Sequence, residues 1–318
     1  MIFIAKEKSK MKYKEWLNEW LNDYQKIHLK ARTYRNYQGI VKNHIIPRLG
    51  EYELEELSFS VLQTFIIERE KNGKDGEKLS SGSIAIIINV LQKSLNMAVE
   101  MGIIEQHYAN KIKRPKVSSK NTECFSIEEQ RIIENAVIVN LPNKRIGILI
   151  SLYTGIRIGE LMALKWDDID FTNGTIMINH TSREIYINGK REFILDEPKT
   201  ESSKRVIPIP KQLMPYLIMN REWSSNEYVI TTKNKTTSIR TYQKMYRDFL
   251  KKANIKYRSF HTLRHTFATR ALECGMDVKT LSEIMGHKSP TITLNRYSHS
   301  LIEHKIAMMN RVGESLLR

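Results

Sequence analysis

The chain has little cysteine and no long apolar run. Only two of its 318 residues are cysteines, Cys124 and Cys274, which excludes a disulfide-rich fold and fits a reducing compartment. No apolar run reaches the roughly 18 residues of a spanning helix, and the opening MIFIAKEKSK becomes charged too soon for a signal peptide. No internal repeat or low-complexity stretch is present. We therefore expect a soluble, cytoplasmic protein with no membrane partner.

Acidic residues are in the minority. The sequence has 51 Lys and Arg against 35 Asp and Glu, a formal net charge of +16. This excess favours a polyanionic partner, and nucleic acid ahead of a membrane because no cationic amphipathic anchor is present. Residues 1–120 carry a net charge of +7 and residues 121–318 a net charge of +9. A ligand that contacts only one half would not require this distribution, and the length allows two domains.

The first half has the periodicity of four helices. Apolar residues from Tyr13 to Tyr24 recur every three or four positions, which predicts one helix whose aromatic side chains belong to the core rather than stack on bases. Three more helices are predicted from Thr33 to about Ile45, from Ser58 to about Gly73 and from Ser80 to Gly102. The candidates for phosphate contact in this bundle are Arg32, Arg35 and Lys42.

A basic segment separates the two halves. Between Glu105 and Glu123 there are five Lys and Arg and no acid, and Pro115 interrupts any helix. This composition predicts an extended linker over residues 111–122. Its cations are interpreted either as DNA contacts or as a solvated surface. The candidates for DNA contact are Lys113, Arg114 and Lys116.

The second half mixes helices with short strands. Ser126 and Glu129 predict a capped helix to about residue 139, and a second apolar helix is predicted from 143 to 153, closed by Gly155. Period-two alternation predicts strands at 175–180, 183–187, 192–195 and 204–209 in one small antiparallel sheet, with Asn188-Gly189 as a hairpin turn. Further helices are predicted at about 211–222, 238–254, 262–274, 278–285 and 290–298. The fold class is therefore multidomain, α followed by α+β.

Two segments carry arginines suited to holding an anion. Arg157 follows Gly155 in a tight connection, where its planar fork can take two oxygens of one phosphate, and Glu160 could hold the turn. His261 and Arg264 share one face at the entrance of a predicted helix, where backbone donors also point outward.

His265 allows two further interpretations. His261 and His265 have the i, i+4 spacing of a zinc-binding helix, but Thr262 stands where a zincin has its glutamate base, which argues against a metal site. Alternatively, His265 is a buried histidine that bonds to the backbone.

Two other segments add a nucleophile and a proton donor. Asp277 caps a short helix ended by Gly286, which delivers His287 at a turn, and Tyr297 lies in the next helix. A phenol needs nearby cations to become a competent oxyanion near neutral pH. Lys199 lies in a turn between predicted strands, and the competitors for its role are Lys190 and Lys204.

Four motifs in this order, TGIRIGELMALKWDDID, PKTESSKRVIPIP, HTLRHTFATRAL and MGHKSPTITLNRYSH, resemble the tyrosine recombinase (phage integrase) family. The resemblance spans about residues 11–305. It implies a short extension at 1–10, a SAM-like helical core-binding domain at 11–110, the linker at 111–122 and a catalytic domain of the DNA breaking-rejoining fold at 123–300. The catalytic set implied by the resemblance is Arg157, Lys199, His261, Arg264, His287 and the nucleophile Tyr297. Met285 stands where the family more often has leucine, and both are apolar.

The resemblance implies a site-specific recombinase that cuts and rejoins DNA through a covalent 3′-phosphotyrosyl intermediate, for integration or excision of a mobile element. No cofactor and no metal are implied. The implied partners are double-stranded DNA at specific recombination sites, further copies of the chain in a synaptic tetramer formed from monomers, and a directionality factor. The implied location is the bacterial cytoplasm, at the nucleoid. Residues 1–10 are too few for the arm-binding domain of larger integrases.

A clamp with one domain on each face of the duplex, as in this family, would account for the basic charge of both halves. One predicted helix carries a cationic stripe opposite its apolar face, interpreted as a DNA contact or as a solvated face: Arg240, Lys244, Arg247 and Lys251. The tail, 301–318, has apolar residues that would pack either on a neighbouring protomer or on their own domain.

Three other functions stay open. A Xer-like chromosome or plasmid dimer resolvase would use the same chemistry. A non-catalytic DNA-binding regulator would explain the charge but not the complete six-residue set. A metal-dependent nuclease would use His261 and His265.

Overall fold

The computed structural model describes residues 11–71, 78–115, 123–187, 190–196, 204–232, 235–297 and 302–316. The chain divides into two compact units, Met1–Ser119 and Lys120–Arg318. Lys116 and Lys199 lie outside the described residues.

The first unit is helical. Its helices are α1 (Tyr13–Glu19), α2 (Lys26–His28), α3 (Ala31–Ile40), α4 (Ile46–Leu49), α5 (Phe59–Lys71) and α6 (Ser81–Glu100). Two π-helical segments, Trp20–Gln25 and Val41–Ile45, connect α1 to α2 and α3 to α4, and 3₁₀ turns lie at Leu54–Glu56 and Ala109–Lys111. The expected helical bundle is present.

The aromatic residues of α1 belong to the core, as predicted. Tyr13, Trp16 and Trp20 are fully buried. The Tyr13 hydroxyl lies 2.7 Å from Ser94 Oγ, and Trp16 Nε1 donates to the Ser94 carbonyl at 2.9 Å. These contacts join α1 to α6 and give the buried polar atoms of Tyr13 and Trp16 hydrogen-bond partners.

Helix α6 has the length and apolar composition of a membrane span. Its apolar side chains, including Ile84, Ile88, Leu91 and Leu95, are buried in the core of the first unit. Its N-terminus is capped by Ser80, whose hydroxyl accepts from the Ser83 amide at 3.1 Å. The structure therefore uses α6 as the core helix of this unit.

The prediction of a helix from Thr33 to Ile45 is wrong at both ends. The helix begins at Ala31, after the extended residue Lys30, and the helical path continues past Pro47 to Leu49. Pro47 lies in the first turn of α4, after the π-helical segment. Proline removes one backbone hydrogen bond from a helix and disturbs the preceding turn, and in this chain the preceding turn is π-helical.

The first residues of the expected linker pack onto the first unit. Ile112 is buried in its core, the Lys113 amide donates to Gln63 Oε1 at 3.0 Å, and Arg114 Nη2 donates to Asn89 Oδ1 at 2.9 Å. An isolated apolar residue in a basic segment is enough to anchor it, because burying one isoleucine contributes about 2 kcal/mol.

The second unit contains nine further helices among its described residues. They are α7 (Ile127–Ile138), α8 (Ile146–Thr154), α9 (Ile158–Ala163), α10 (Met214–Glu222), α11 (Ile239–Lys252), α12 (His261–Glu273), α13 (Val278–Met285), α14 (Pro290–Tyr297) and α15 (Ile302–Leu316). The predicted capping box of α7 is present, because the Glu129 amide donates to Ser126 Oγ and the Ser126 amide donates to Glu129 Oε2.

The strands form three small antiparallel sheets instead of the single sheet predicted. The strands are β1 (Ile169–Asp170), β2 (Thr175–Ile178), β3 (Thr181–Ile187), β4 (Lys190–Asp196), β5 (Arg205–Pro208), β6 (Thr231–Thr232) and β7 (Lys235–Thr236). The strand order is β1-β2-β5 in the first sheet, and β3-β4 and β6-β7 form hairpins. Ile176 pairs with Ile207 in the first sheet, and both are buried. Strand β3 packs against α9 instead of extending that sheet.

The core of the second unit surrounds α8. Ile146, Ile148 and Ile150 on this helix are fully buried, as is Leu263 on α12. Helices α8 and α12 pack against each other, which brings the C-terminus of α8 to the side of α12. The connection that follows α8 carries Arg157.

Candidate active site

Arg157 is held by the turn between α8 and α9. Its amide donates to Glu160 Oε2 at 3.0 Å, its Nη1 donates to Glu160 Oε1 at 2.8 Å, and its Nη2 donates to the Gly286 carbonyl at 2.7 Å. The Arg157 side chain is 35% exposed. Because a guanidinium has five N–H donors, Arg157 keeps donors for an anion while its position is fixed.

Gly155 allows α8 to end directly beside α12. Its φ is 63°, in the left-handed region, and a Cβ atom there would lie 2.5 Å from Phe267 Cδ1. Both the backbone angle and the close approach require glycine. The Gly155 carbonyl accepts a hydrogen bond of 2.5 Å from Arg264 Nη1.

Arg264 connects three segments of the second unit. Besides Gly155, it contacts the Met285 carbonyl through Nη2 at 2.5 Å, and the same nitrogen lies 3.1 Å from His287 Nε2. Its residue surface is 2% exposed. Arginine only donates, so His287 Nε2 accepts and the ring is neutral. The protonated Nδ1 then donates to Thr293 Oγ1 at 2.7 Å, which fixes one tautomer of His287.

Three residues of the predicted catalytic set therefore meet at one turn, residues 285–287. Arg157 and Arg264 donate to its carbonyls, and His287 is its last residue. His261 is the first residue of α12, exposed, three positions before Arg264. Its ring lies 4.6 Å from the His265 ring in an edge-to-face arrangement.

The structure describes the backbone of Tyr297 but not its side chain. Tyr297 is the last residue of α14, which packs on α13. Thr293, four residues earlier on α14, is fully buried and contacts His287. The helix that carries Tyr297 is thus joined to the turn at 285–287. The predicted role of Lys199 falls outside the described residues.

Arg205 also lies in the candidate site, and our sequence analysis missed it. Its Nη2 donates to Glu160 Oε2 at 2.8 Å and its Nη1 donates to Glu160 Oε1 at 3.1 Å. Its Nε donates to the Ile284 carbonyl at 2.6 Å. The sequence held one signal: Arg205 lies two residues before the buried Ile207, so period-two alternation places both on the same face of β5.

Glu160 is an ionised carboxylate in a buried position. The side chains of Arg205 and Glu160 are 6% and 7% exposed. Burial alone would raise the pKa of the Glu160 carboxyl, but the hydrogen bonds and charge of Arg205, together with the charge of Arg157, outweigh it and lower the pKa to about 2. The carboxylate therefore stays charged throughout the physiological range and holds both arginines.

We expect acid to weaken the second unit through Glu160. A carboxyl whose pKa is lowered from 4.5 to about 2 stabilises the fold fully above pH 4.5, and this contribution is lost as pH falls toward 2. At pH 7 the contribution is about 3 kcal/mol, of which about 2 kcal/mol is lost by roughly pH 3. Urea unfolding of the wild type and of Glu160→Gln, at pH 7 and at roughly pH 3, measures this loss of stability. Equal destabilisation by Glu160→Gln at both pH values would contradict the assignment.

The predicted cationic stripe is exposed on α11. Arg240, Lys244, Arg247 and Lys251 are exposed, whereas Tyr242 and Tyr246 on the opposite face are buried. The Arg247 guanidinium lies 5.0 Å from the centre of the Tyr257 ring. A cavity of about 360 Å³ beside the stripe is lined by Arg247, Lys251, Asn254, Ile255, Lys256 and Tyr257.

In the first unit, Arg32, Arg35 and Lys42 are exposed on α3 and on the π-helical segment that follows it. Arg114 is also exposed, with Nη2 engaged by Asn89 and Gln92. Within the described ranges, the structure contains no group of three or more His, Cys, Asp or Glu side chains arranged to hold a metal ion.

The sequence matches two family models. The model of the Phage integrase family matches residues 127–304, and that of the Phage integrase N-terminal SAM-like domain matches residues 12–68. A relative named "Tyrosine recombinase XerC-like", from Caldanaerobacter subterraneus subsp. tengcongensis, is 32% identical over 305 residues, which cover 87% of this chain and 76% of the relative.

Solved structures share the fold. The Tn1549 transposon integrase in complex with a circular intermediate DNA superposes with a TM-score of 0.80 at 22% identity, over 95% of this chain and 99% of that one. A lambda integrase tetramer bound to a Holliday junction superposes with a TM-score of 0.65 at 20% identity, over 87% of this chain and 77% of that one. The predicted fold class is confirmed, and the chain belongs to the phage integrase family of tyrosine recombinases, which are DNA recombinase enzymes.

Proposed function

We propose that this chain is a site-specific DNA recombinase that cuts and rejoins DNA through a covalent 3′-phosphotyrosyl link to Tyr297, for the integration and excision of a mobile element. The observation that carries the proposal is the convergence of Arg157, Arg264 and His287 on the turn at 285–287. Family membership and the DNA-bound state of the Tn1549 and lambda integrases support double-stranded DNA as the substrate.

In the proposed reaction the phenol oxygen of Tyr297 attacks the scissile phosphorus. A bond forms between this oxygen and phosphorus, and the bond from phosphorus to the 5′ oxygen breaks. His261 accepts the phenol proton, and Lys199 donates a proton to the departing 5′ oxygen. Rejoining reverses these steps with a new 5′ hydroxyl. Because the phosphotyrosyl link conserves the phosphodiester energy, the cycle requires no nucleotide cofactor.

Arg157 and Arg264 stabilise the charge that develops on the non-bridging oxygens. Fixed guanidinium donors can perform the electrostatic task that metal ions perform in other phosphoryl-transfer enzymes. His287, whose two ring nitrogens contact Arg264 and Thr293, positions the Arg264 guanidinium for this task.

A nicked suicide substrate tests the proposal. We would use duplexes carrying the repeats that flank the coding region, with a nick beside each candidate cleavage site. Cleavage then releases a short fragment that carries the 5′ hydroxyl. Because this fragment dissociates, rejoining stops and the adduct accumulates. The expected result is an adduct that resists detergent and forms equally in EDTA. A mobility shift with no adduct would instead support a DNA-binding regulator. Cleavage that EDTA abolishes would support a nuclease that uses His261 and His265.

The XerC-like relative favours a second candidate, a resolvase of chromosome or plasmid dimers. The pair of DNA sites that is recombined distinguishes the two candidates. A mobile-element integrase joins two sites of different flanking sequence, whereas a resolvase recombines two copies of one site. Recombination of a plasmid bearing two identical sites, with no activity on the ends of an element, would favour the resolvase.

The α11 stripe is the proposed DNA-binding surface of the second unit. Affinity for phosphates falls with salt because bound counterions are released, and each lost contact reduces the slope of log K against log salt by about 1. The double variant Lys244→Gln, Lys251→Gln is therefore expected to reduce the slope by about 2 and to weaken binding to all sequences alike. Filter binding over a salt series measures this.

The matched control for the stripe is Lys211→Gln with Lys279→Gln, which removes two exposed lysines from other elements of the same unit. It should leave the slope unchanged. An equal reduction in both double variants would assign the effect to net charge rather than to the stripe. Contacts by Arg32, Arg35, Lys42, Lys113, Arg114 and Lys116 are proposed for the first unit and its linker.

On DNA, the chain is proposed to act as a synaptic tetramer, assisted by a directionality factor and located at the bacterial nucleoid. Exposed apolar side chains on α15 support contact between protomers. Ile306 is 55% exposed and Met309 is 68% exposed, so neither is buried by its own unit. Apolar side chains left exposed at helical spacing are typical of a face that another chain covers.

A further inference from the structure

Three arginines donate to three successive carbonyls at the C-terminus of α13. Arg205 Nε contacts the Ile284 carbonyl at 2.6 Å, Arg264 Nη2 contacts the Met285 carbonyl at 2.5 Å, and Arg157 Nη2 contacts the Gly286 carbonyl at 2.7 Å. The last carbonyls of a helix have no intrahelical donors, and this end of the helix favours positive charge. The helix end thus acts as a common acceptor for the three guanidiniums.

Of the three, Arg205 is the one with no predicted contact to DNA. Its side chain is 6% exposed, and it also pairs with both carboxylate oxygens of Glu160. Gly286 packs directly on it: a Cβ atom at Gly286 would lie 3.0 Å from Arg205 Nη1. Arg205 therefore lies between Glu160 and the turn that carries His287, and it can act on the reaction through these neighbours.

We propose that Arg205 is a positioning residue for the recombination reaction. It joins Glu160, which orients Arg157, to the end of α13, which contacts Arg264, and so fixes the separation of the two phosphate-binding arginines. The inference rests on the proposed function. Lysine cannot replace Arg205, because one ammonium group on a flexible stem cannot hold two carboxylate oxygens and a carbonyl in three fixed directions.

The test is Arg205→Lys, with Arg258→Lys as the matched control. Arg258 is also a partly buried arginine of the second unit, 17% exposed and bound to Glu129 at 2.8 Å. We would measure the single-turnover cleavage rate at saturating nicked DNA, and the dissociation constant separately. Misplacement of a catalytic group by about 1 Å can cost about 10²-fold in rate. We expect a loss of this order for Arg205→Lys, with unchanged DNA affinity, and a rate near wild type for Arg258→Lys.

A double-mutant cycle separates positioning from general damage. If Arg205 acts through Glu160, adding Glu160→Gln to Arg205→Lys should cost no more than the larger single loss. Losses that multiply, a rate within twofold of wild type for Arg205→Lys, or an equal loss in Arg258→Lys would each overturn the inference. Should Arg205→Lys fail to fold, Arg205→Met with Glu160→Met removes both charges together, which cores tolerate better. Its cleavage rate must then match that of Glu160→Gln alone, and a further loss would overturn action through Glu160.

Hydrogen exchange on the DNA-free proteins keeps this inference distinct from the proposed function. The His287 amide donates to the Ser282 carbonyl at 3.0 Å, a bond that depends on the geometry of the turn. Faster exchange in residues 284–287 is expected in Arg205→Lys and not in Arg258→Lys. If wild type forms no adduct, the proposed function fails, and exchange alone decides whether Arg205 holds the turn. Unchanged exchange would refute its role.

Discussion

Tyr297→Phe is expected to form no detectable covalent adduct with nicked DNA while binding that DNA with wild-type affinity. The substitution removes a single oxygen, which is the atom proposed to bond to phosphorus. Loss of a catalytic nucleophile lowers the rate by a factor on the order of 10⁴ to 10⁶, because no other group of the site replaces the attacking oxygen. Phosphate contacts, which dominate DNA affinity, are unaffected by the change.

The measurement compares adduct yield on denaturing gels with the dissociation constant from filter binding. Tyr153→Phe is the control, since it removes another phenol of the second unit, on α8. Tyr153 is half-buried, and burial with the nearby charge of Glu134 raises its pKa to about 12, so it is a poor nucleophile. An adduct that persists in Tyr297→Phe and disappears in Tyr153→Phe would show that Tyr153, and not Tyr297, is the nucleophile.

Arg264→Lys is expected to lower the cleavage rate by a factor on the order of 10² to 10³ at saturating DNA, as the loss of one oxyanion donor does. A lysine retains the charge but cannot contact the Gly155 carbonyl, the Met285 carbonyl and His287 together, as the guanidinium does. His287 would lose the donor that fixes its tautomer. Unfolding free energy should also fall, by about 1–3 kcal/mol, because buried carbonyls lose a charged partner.

Arg270→Lys provides the comparison on the same helix. Arg270 donates to Glu273 and to the Phe125 carbonyl, and neither partner belongs to the turn at 285–287. Its replacement should reduce stability with little effect on the cleavage rate of the folded protein. If both variants lose stability and rate in proportion, Arg264 would be structural and the proposed electrostatic role would be wrong.

Local signals in the sequence predicted most of the secondary structure. The capping box of α7, the left-handed Gly155 after α8, and Asp277 and Gly286 at the ends of α13 depend on residues within four positions of one another. Their physics is local, so it is visible in the sequence. The same locality placed Arg157, Arg264 and His287 each at the end of a helix, where a side chain can reach an anion.

Predictions that depended on distant partners were less successful. The helix around Thr33 was assigned from a good capping residue, but the structure continues it through π-helical turns and Pro47. The prediction of a single sheet was wrong because β5 pairs with β2, and β3 and β4 form a separate hairpin that packs against α9. Residues 111–114 were assigned to a linker by composition, although Ile112 fills the core of the first unit. In each case a tertiary contact outweighed a local preference.

By itself the sequence determined which side chains could serve phosphate chemistry, their order, and the helix ends that carry them, since charge, spacing and capping are properties of neighbouring residues. Only the tertiary structure decided that Arg157, Arg264 and His287 meet at one turn, and that Arg205 joins Glu160, 45 residues away, to Ile284, 79 residues away. A buried ion pair offsets the cost of removing both charges from water only where its geometry is good and its remaining donors are bonded. That geometry belongs to the folded core, and no segment of the sequence specifies it alone.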